Sequence, residues 1–136
     1  MIITLRDTTA NNVLTAILND LAAGSAVAAP YIRLYTATKP AGPDTAITTQ
    51  TLLGTVTCTS TVGTVATRAL TFAGITQDSA ADADGTAAWA RMFNRDNVAI
   101  IDVDISTTTG SAFMKMNTTT IVAGGPIVVN SCVITA

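Results

Sequence analysis

The first hydrophobic pattern in the chain has helical spacing. Between residues 10 and 21, large aliphatic side chains recur every three or four positions, and polar residues fall mostly between them. The Asp and Thr residues at 7–9 offer an N-cap, and Gly24 suits the position that follows a helix. The pattern predicts a helix over about residues 8–23. Its buried stripe is expected to consist of Leu14, Ile17, Leu18 and Leu21.

After Pro30 the hydrophobic period changes to two, which is the spacing of β-strands. Alternating apolar and polar positions, bounded by turn signals, predict about eight short strands. We place them at residues 31–36, 51–59, 68–73, 86–93, 98–105, 112–116, 119–122 and 127–135. This order predicts a mainly β fold, an antiparallel β-sandwich or jelly-roll-like barrel with one N-terminal α-helix. No linker divides the chain, so residues 1–136 are expected to form a single domain.

The clearest hairpin joins the strands at 86–93 and 98–105 through the turn at residues 94–97. Pairing Phe93 with Val98 sets its register. The remaining pairs are then Arg91 with Ile100 and Trp89 with Asp102. One face is wholly apolar and is assigned to the core: Ala88, Ala90, Met92, Ala99, Ile101, Val103 and Ile105. The other face is mixed: Trp89, Arg91, Phe93, Val98, Ile100, Asp102 and Asp104.

The mixed face has two interpretations, which both stay open at this point. Aromatic residues and arginine dominate protein–protein hot spots. The face therefore favours a partner contact through Trp89, Arg91, Phe93, Asp102 and Asp104. In the second interpretation the face is an exposed rim on which Arg91 pairs diagonally with Asp102. Both interpretations leave Arg91 at the surface of the isolated protein, so Arg91→Ala is expected to change stability by only ~0.2–1 kcal/mol.

Composition argues against catalysis. The sequence contains no His and no Glu, so Ser-His-Asp and Cys-His mechanisms have no base within this chain. Asp102 and Asp104 point the same way from one strand and resemble a pair of acid–base carboxylates. No sugar-binding platform surrounds them, and paired aspartates also keep a strand face soluble. We expect a protein that is not an enzyme, needs no cofactor and binds no small-molecule substrate.

Metal-binding patterns are weak. Three aspartates precede Gly85 in a segment that resembles a calcium loop: Asp78, Asp82 and Asp84. Alanines interrupt the ligand positions and no Glu follows, so we expect no metal there. Cys58 and Cys132 lack metal-ligand spacing and lie in apolar or Thr-rich runs. A disulfide between them stays open, but we interpret both as reduced core residues.

Charge and composition favour a protein that packs against other proteins. The net charge is −2, and the seven Lys and Arg residues are scattered, which argues against nucleic-acid binding. No apolar run approaches the ~20 residues of a membrane span, and the first residues do not resemble an export signal. Threonine makes up about a fifth of the chain, alanine nearly as much, and charged residues only 12%. Such a surface is poorly charged for a free monomer.

Short segments along the chain carry a family resemblance. In the N-terminal half they are residues 6–10 (RDTTA), 32–35 (IRLY), 39–41 (KPA), 44–46 (DTA) and 51–53 (TLL). In the C-terminal half, residues 82–91 (DADGTAAWAR) form a small-residue lead into an aromatic strand. Together these segments resemble a family of small structural proteins of tailed-phage virions. Ala37 departs from the family pattern, which has Gly before the loop.

The resemblance implies a virion structural role. Some members of the family resemble capsid decoration or cement proteins, which bind outside the major capsid protein shell and stabilise it. The implied partners are the major capsid protein and sister copies in a homo-oligomer. The implied location is the capsid exterior, after assembly in the bacterial host cytoplasm. A neck or tail component is an alternative, and so is a carbohydrate-binding β-sandwich, although aromatic residues make up only 4% of the chain.

Overall fold

The helix predicted from the apolar stripe is present. A computed structural model describes residues 4–136, and helix α1 spans Asp7–Ala22. Residues 1–3, which open the stretch examined for an export signal, lie outside the described part. The predicted N-cap at residues 7–9 is wrong, because Arg6 is the N-cap and its carbonyl accepts a hydrogen bond from the Ala10 N–H at 2.9 Å. Gly24 follows the helix with a φ of +103°, as its predicted role requires.

Ten strands follow the helix in the described chain. They are β1 (Tyr31–Tyr35), β2 (Leu52–Thr57), β3 (Gly63–Ala66), β4 (Ala69–Phe72), β5 (Gly85–Thr86), β6 (Trp89–Phe93), β7 (Ala99–Thr107), β8 (Met114–Met116), β9 (Thr120–Ile121) and β10 (Ser131–Thr135). Eight of them form one mixed sheet in the order β2-β1-β6-β7-β8-β10-β4-β3, and β5 pairs with β9 in a separate small sheet. The predicted mainly β class with one N-terminal helix is confirmed.

One hydrophobic core draws on strands from both ends of the large sheet. Leu34 of β1 and Leu70 of β4 are fully buried in the same cluster, although four strands lie between β1 and β4 in the sheet. The sheet therefore curls, as in a sandwich or barrel-like fold. Helix α1 packs against β3, β4 and β7, and it buries Leu14 and Leu21 in the core. Ile17 and Leu18 are partly buried against the same cluster, so the predicted stripe is confirmed.

The predicted register of the β6–β7 hairpin is wrong, by one position next to the turn and by two along the rest of the strands. Phe93 pairs with Ala99 rather than with Val98, and the register shifts between Met92 and Phe93. The Asn94 N–H donates to the Val98 carbonyl at 3.0 Å, which accounts for one position of the shift, and the bulge adds the second. The observed pairs are therefore Arg91 with Asp102 and Trp89 with Asp104. The division into two faces survives along most of the hairpin, since Ala90, Met92 and Val103 are buried in the core. It is wrong near the bulge, where Ile100 packs against the core and Ala99 pairs with Phe93.

The junction between β7 and β8 also differs from the prediction. A turn forms at residues 107–110, where the Gly110 N–H donates to the Thr107 carbonyl at 2.9 Å, but β8 then runs parallel to β7, with Ile105 beside Met114. Parallel neighbours usually need a crossover of about a dozen residues. Here the paired stretch is only three residues, roughly 10 Å at ~3.3 Å per residue, so the connection at 108–113 can bring the chain back. The other strand pairs in the described chain are antiparallel.

Candidate functional site: two arginines on one sheet face

Strands β1 and β6 bring two arginines side by side on the face opposite the core. In the antiparallel register Arg33 lies directly opposite Arg91. An aromatic pair flanks them on each side. The pairs are Tyr31 with Phe93, whose ring centroids are 4.9 Å apart, and Tyr35 with Trp89, at 4.7 Å. The alternation of apolar and polar residues along 31–35 places Tyr31, Arg33 and Tyr35 on one side of their strand. It carried no information that this side adjoins the mixed face of the hairpin.

Arg91 uses four of its five N–H donors on partners within the chain. Its Nε and Nη2 donate to the two carboxylate oxygens of Asp102 at 2.8 and 3.0 Å. Nη1 donates to the carbonyl of Thr45, and Nη2 also donates to the carbonyl of Gly42, both at 2.9 Å. The side chains of Arg91 and Asp102 are only 5% and 4% exposed. The hydrogen bond from Arg91 to Asp102 raises the pKa of Arg91 further above its usual value, against the opposing effect of burial.

The loop at residues 36–51 covers this cluster. The indole N–H of Trp89 donates to the Thr36 carbonyl at 3.1 Å, and Lys39 forms a 3.1 Å ion pair with Asp104. Trp89 is 1% exposed. The expected exposure of Trp89, Arg91 and Asp102 is therefore wrong, because the loop returns over this part of the mixed face and closes it. Asp104 remains exposed and Phe93 half-buried, so for these two the predicted partner contact stays a prediction.

Arg33 has none of these partners. Its guanidinium lies 5.5 Å from the centre of the Tyr31 ring and 5.3 Å from that of Phe93, within reach of cation–π interactions. Three ion pairs occur among residues 4–136, and Arg33 belongs to none of them. Its Nε is buried and has no hydrogen-bond acceptor. The same face thus holds one saturated arginine and one without a polar partner.

An open cleft of about 410 Å³ surrounds Arg33. Residues 27–29 form one wall, and Thr55 and Thr57 of β2 form the other. Tyr31 lies within the cleft, and its hydroxyl donates to Asn97 Oδ1 at 2.9 Å, which fixes the ring against the hairpin turn. We call this feature the Arg33 cleft and define it by Tyr31, Arg33, Thr55, Thr57, Asn97 and residues 27–29. Sequence reasoning missed it because its walls come from segments far apart in the chain.

The wall at residues 27–29 is held in place by the hairpin turn. The Val27 N–H donates to the Arg95 carbonyl at 2.9 Å, and Arg95 Nε donates back to the Val27 carbonyl at 3.0 Å. Asp96 Oδ1 accepts the N–H groups of Ser25 and Ala26 at 2.9 and 3.2 Å. These backbone donors stabilise the carboxylate and lower the pKa of Asp96. The turn therefore organises the cleft without placing a carboxylate on Arg33.

The remaining candidate groups serve structural roles. Asp78 Oδ2 accepts the Thr55 N–H at 3.0 Å, and Asp84 Oδ1 accepts the Ala123 N–H at 2.7 Å. Within residues 4–136 no three potential metal ligands are grouped together. Cys58 and Cys132 are free, buried thiols, and burial raises the pKa of each to about 12. No helix in the described chain is long and apolar enough to cross a membrane.

The chain's own residues carry the functional argument. Comparisons with protein-family models, with curated protein sequences and with solved structures find no match to this chain. The resemblance to tailed-phage virion proteins therefore stays a prediction that rests on the short segments in which it was found. The site that the geometry adds is a surface with one free guanidinium, two accessible aromatic rings and two threonines.

Proposed function

We propose that this chain is a non-enzymatic structural protein of a tailed-phage virion, which binds the outside of the capsid shell as a decoration or cement protein. The observation that carries the proposal is the Arg33 cleft. Tyrosine and arginine are among the residues that most often form binding hot spots, and here they lie on a rigid sheet rather than on a loop. A capsid clamp needs such a preformed surface and needs no active site.

The distribution of charge supports the role of a protein that packs against other proteins. Asp102 is paired with Arg91, Asp104 with Lys39, and Asp7 with Arg68 at 3.1 Å. These pairs support the fold and leave a surface rich in threonine and alanine. Such a surface can lie against a neighbouring protein at a small desolvation cost, because few charges must be stripped of water.

The proposed partners follow from the same role. The major capsid protein would supply the surface on which the chain binds, and sister copies would surround each copy in a homo-oligomer. The proposed location is the capsid exterior, reached after assembly in the bacterial cytoplasm. A neck or tail position is the nearest alternative within the same class of protein, and copy number separates the two.

Copy number in purified particles tests the proposal. Particles from the phage that encodes the chain would be purified on a density gradient, and each protein counted by quantitative mass spectrometry against labelled standards. We expect copies comparable with those of the major capsid protein. Copies lower by more than an order of magnitude would indicate a neck or tail component. An abundant host protein serves as the control for co-purification, and absence of the chain above that background would overturn the virion role.

A further inference from the structure

We propose that the Arg33 cleft binds the carboxylate of an acidic side chain from a partner protein, held between the two terminal guanidinium nitrogens of Arg33. This inference rests on the proposed function, because a contact protein is what brings a partner's side chain to the cleft. It adds the chemistry that the partner must present there.

The terminal nitrogens of Arg33 are available. They make no hydrogen bond to any residue from 4 to 136, and they are not among the buried atoms that lack a partner. They therefore reach the cleft, which Arg33 lines. Arg91, its neighbour across the strands, has all the acceptors that Arg33 lacks: one carboxylate and two carbonyls. The cleft lacks the carboxylate.

Arg33 is already held in a binding conformation. Its guanidinium lies 5.5 and 5.3 Å from the centres of the Tyr31 and Phe93 rings, and its Nε is buried without an acceptor. Tyr31 is in turn fixed by its bond to Asn97. Much of the side-chain entropy that an exposed arginine would lose on binding is thus lost already on folding. An incoming carboxylate would meet a planar donor pair whose orientation is set by aromatic rings.

The electrostatics around the cleft favour an anion from outside. Arg91 adds a second positive charge across the strands, although Asp102 balances it. Two aspartates that bond to the segments around the cleft are occupied by backbone N–H groups, Asp78 by Thr55 and Asp96 by Ser25. Neither of them forms an ion pair with Arg33. The hydroxyls of Thr55 and Thr57, on the neighbouring strand, add donors that suit a carboxylate oxygen.

A carboxylate fits this cleft better than a phosphate or a sugar. Arg33 is the only cationic residue among those that line it, so a phosphate dianion would remain half neutralised. A neutral sugar would leave the guanidinium without a counter-charge. A planar carboxylate matches two parallel N–H donors and one positive charge. An Asp or Glu side chain from a partner protein provides that group at the end of a short stem.

Peptide binding to the isolated protein tests the chemistry. The probe is an acetylated and amidated Ala-Glu-Ala peptide, followed through the guanidinium nitrogen resonances of Arg33 and the ring resonances of Tyr31 and Phe93. We expect these to shift, and we expect Ala-Gln-Ala to leave them unchanged. Equal shifts with the glutamine peptide would overturn the role of charge. Stronger binding of inorganic phosphate would overturn the choice of carboxylate, and no shift with any probe would overturn the site.

Variants extend the test to the particle. Arg33→Met should weaken binding to particles stripped of the chain by roughly tenfold or more, and Arg33→Lys should fall between it and the wild type. Arg6→Met removes the same charge at the N-terminal end of α1, outside the Arg33 cleft, and should bind as the wild type does. Circular dichroism checks that each variant folds. If Arg33→Met does not fold, the binding of Arg33→Lys decides the test.

The two arms separate the two proposals. Peptide binding without any chain in the particles would contradict the virion role and leave the carboxylate site standing. The opposite result has three parts: the chain is abundant in particles, Arg33→Met binds stripped particles as the wild type does, and the glutamate peptide does not bind. That result would contradict the carboxylate site and leave the virion role standing.

Discussion

Arg33 and Arg91 face each other across two neighbouring strands, yet only one of them is available for binding. Arg91 makes a two-point bond to Asp102 and is roofed by a loop. Arg33 rests on two aromatic rings and opens to a cleft. Residue type and sheet face are the same in both cases. The difference lies in what the rest of the chain places over them.

The covering segments explain this difference. The 36–51 loop turns Gly42 and Thr45 so that their carbonyls point at Arg91, and Lys39 ties the loop to Asp104. The segment before β1 passes beside Arg33, but the Val27 carbonyl is already used by Arg95. The loop carbonyls that bond to Arg91 make it part of the fold. Because the Val27 carbonyl bonds to Arg95 instead, Arg33 stays available for binding.

The largest expected effect is at Arg91. Arg91→Ala should lower the free energy of unfolding by ~3–5 kcal/mol, because it leaves the buried Asp102 carboxylate without its partner. The two loop carbonyls lose their donors as well. Urea denaturation, monitored by tryptophan fluorescence, measures the change. Trp89 is the only tryptophan, and the centre of its ring lies 5.4 Å from Cζ of Arg91.

A double variant is the control for this prediction. Replacing both partners, as in Arg91→Met with Asp102→Leu, removes the unpaired charge and should recover part of the lost stability. A loss below about 1 kcal/mol in Arg91→Ala would instead match an exposed pair and would contradict the burial that separates Arg91 from Arg33.

This contrast also marks how far the sequence predicts the molecule. The apolar spacing of α1 and the alternation of β6 and β7 predicted the helix, the β class and the core face, because burial imposes those periods. The same alternation predicted that Arg91 shares a face with Asp102. It could not predict that the 36–51 loop covers that face, because the covering bonds use backbone carbonyls, which every residue possesses.

Turn geometry was hidden for a similar reason. Thr67 and Arg68 form a two-residue hairpin turn between β3 and β4, with φ values of +51° and +64°. Such turns favour Asn-Gly, so Thr-Arg gave no turn signal and β3 was not predicted. The turn persists because the tertiary structure supports it. The Arg68 N–H donates to Asn11 Oδ1 at 2.9 Å, and its guanidinium bonds to Leu5 and Asp7 at the start of α1.

A smaller effect of the opposite sign is expected at Ala37, at the start of the loop that covers Arg91. Its φ of +66° lies in the left-handed region, which disfavours a side chain by ~1–2 kcal/mol. Ala37→Gly relieves that strain, but glycine also raises the entropy of the unfolded chain, which offsets part of the effect. We therefore expect the free energy of unfolding to rise by ~0.5–1 kcal/mol. Thermal and urea unfolding measure it.

Ala41 in the same loop provides a matched control. It is exposed and has no positive φ, so Ala41→Gly should lower stability by roughly 0.4–1 kcal/mol through unfolded-state entropy alone. If both substitutions lower stability alike, the loop does not hold Ala37 in the left-handed conformation, and the closure of Arg91 must be reconsidered.

The wall beside Arg33 should respond to acid. Asp96 accepts backbone N–H groups in the folded state, and this lowers its pKa below the ordinary value of 3.8. Its contribution is therefore present above that value and is lost as the pH falls through the folded pKa. Asp96→Asn should melt below the wild type at neutral pH, and the gap should close as the pH falls through the folded pKa of Asp96.

The gap between the two melting temperatures, plotted against pH, is the measurement for Asp96. A gap at Asp96 that widens on acidification would mean that the folded state does not stabilise its carboxylate, and the wall at residues 27–29 would need another anchor.

The smallest effect on stability is expected at Arg33 itself. Arg33→Met keeps the apolar stem against Tyr31 and Phe93 and loses a cation–π interaction of ~0.5–1 kcal/mol. It also removes a buried Nε donor that has no acceptor, which offsets that loss. The free energy of unfolding should stay within about 0.5 kcal/mol of the wild type in the urea titration used for Arg91→Ala. A loss of ~3 kcal/mol or more would place Arg33 with Arg91 among the structural arginines, because only a buried, partnered charge destabilises to that degree when it is removed.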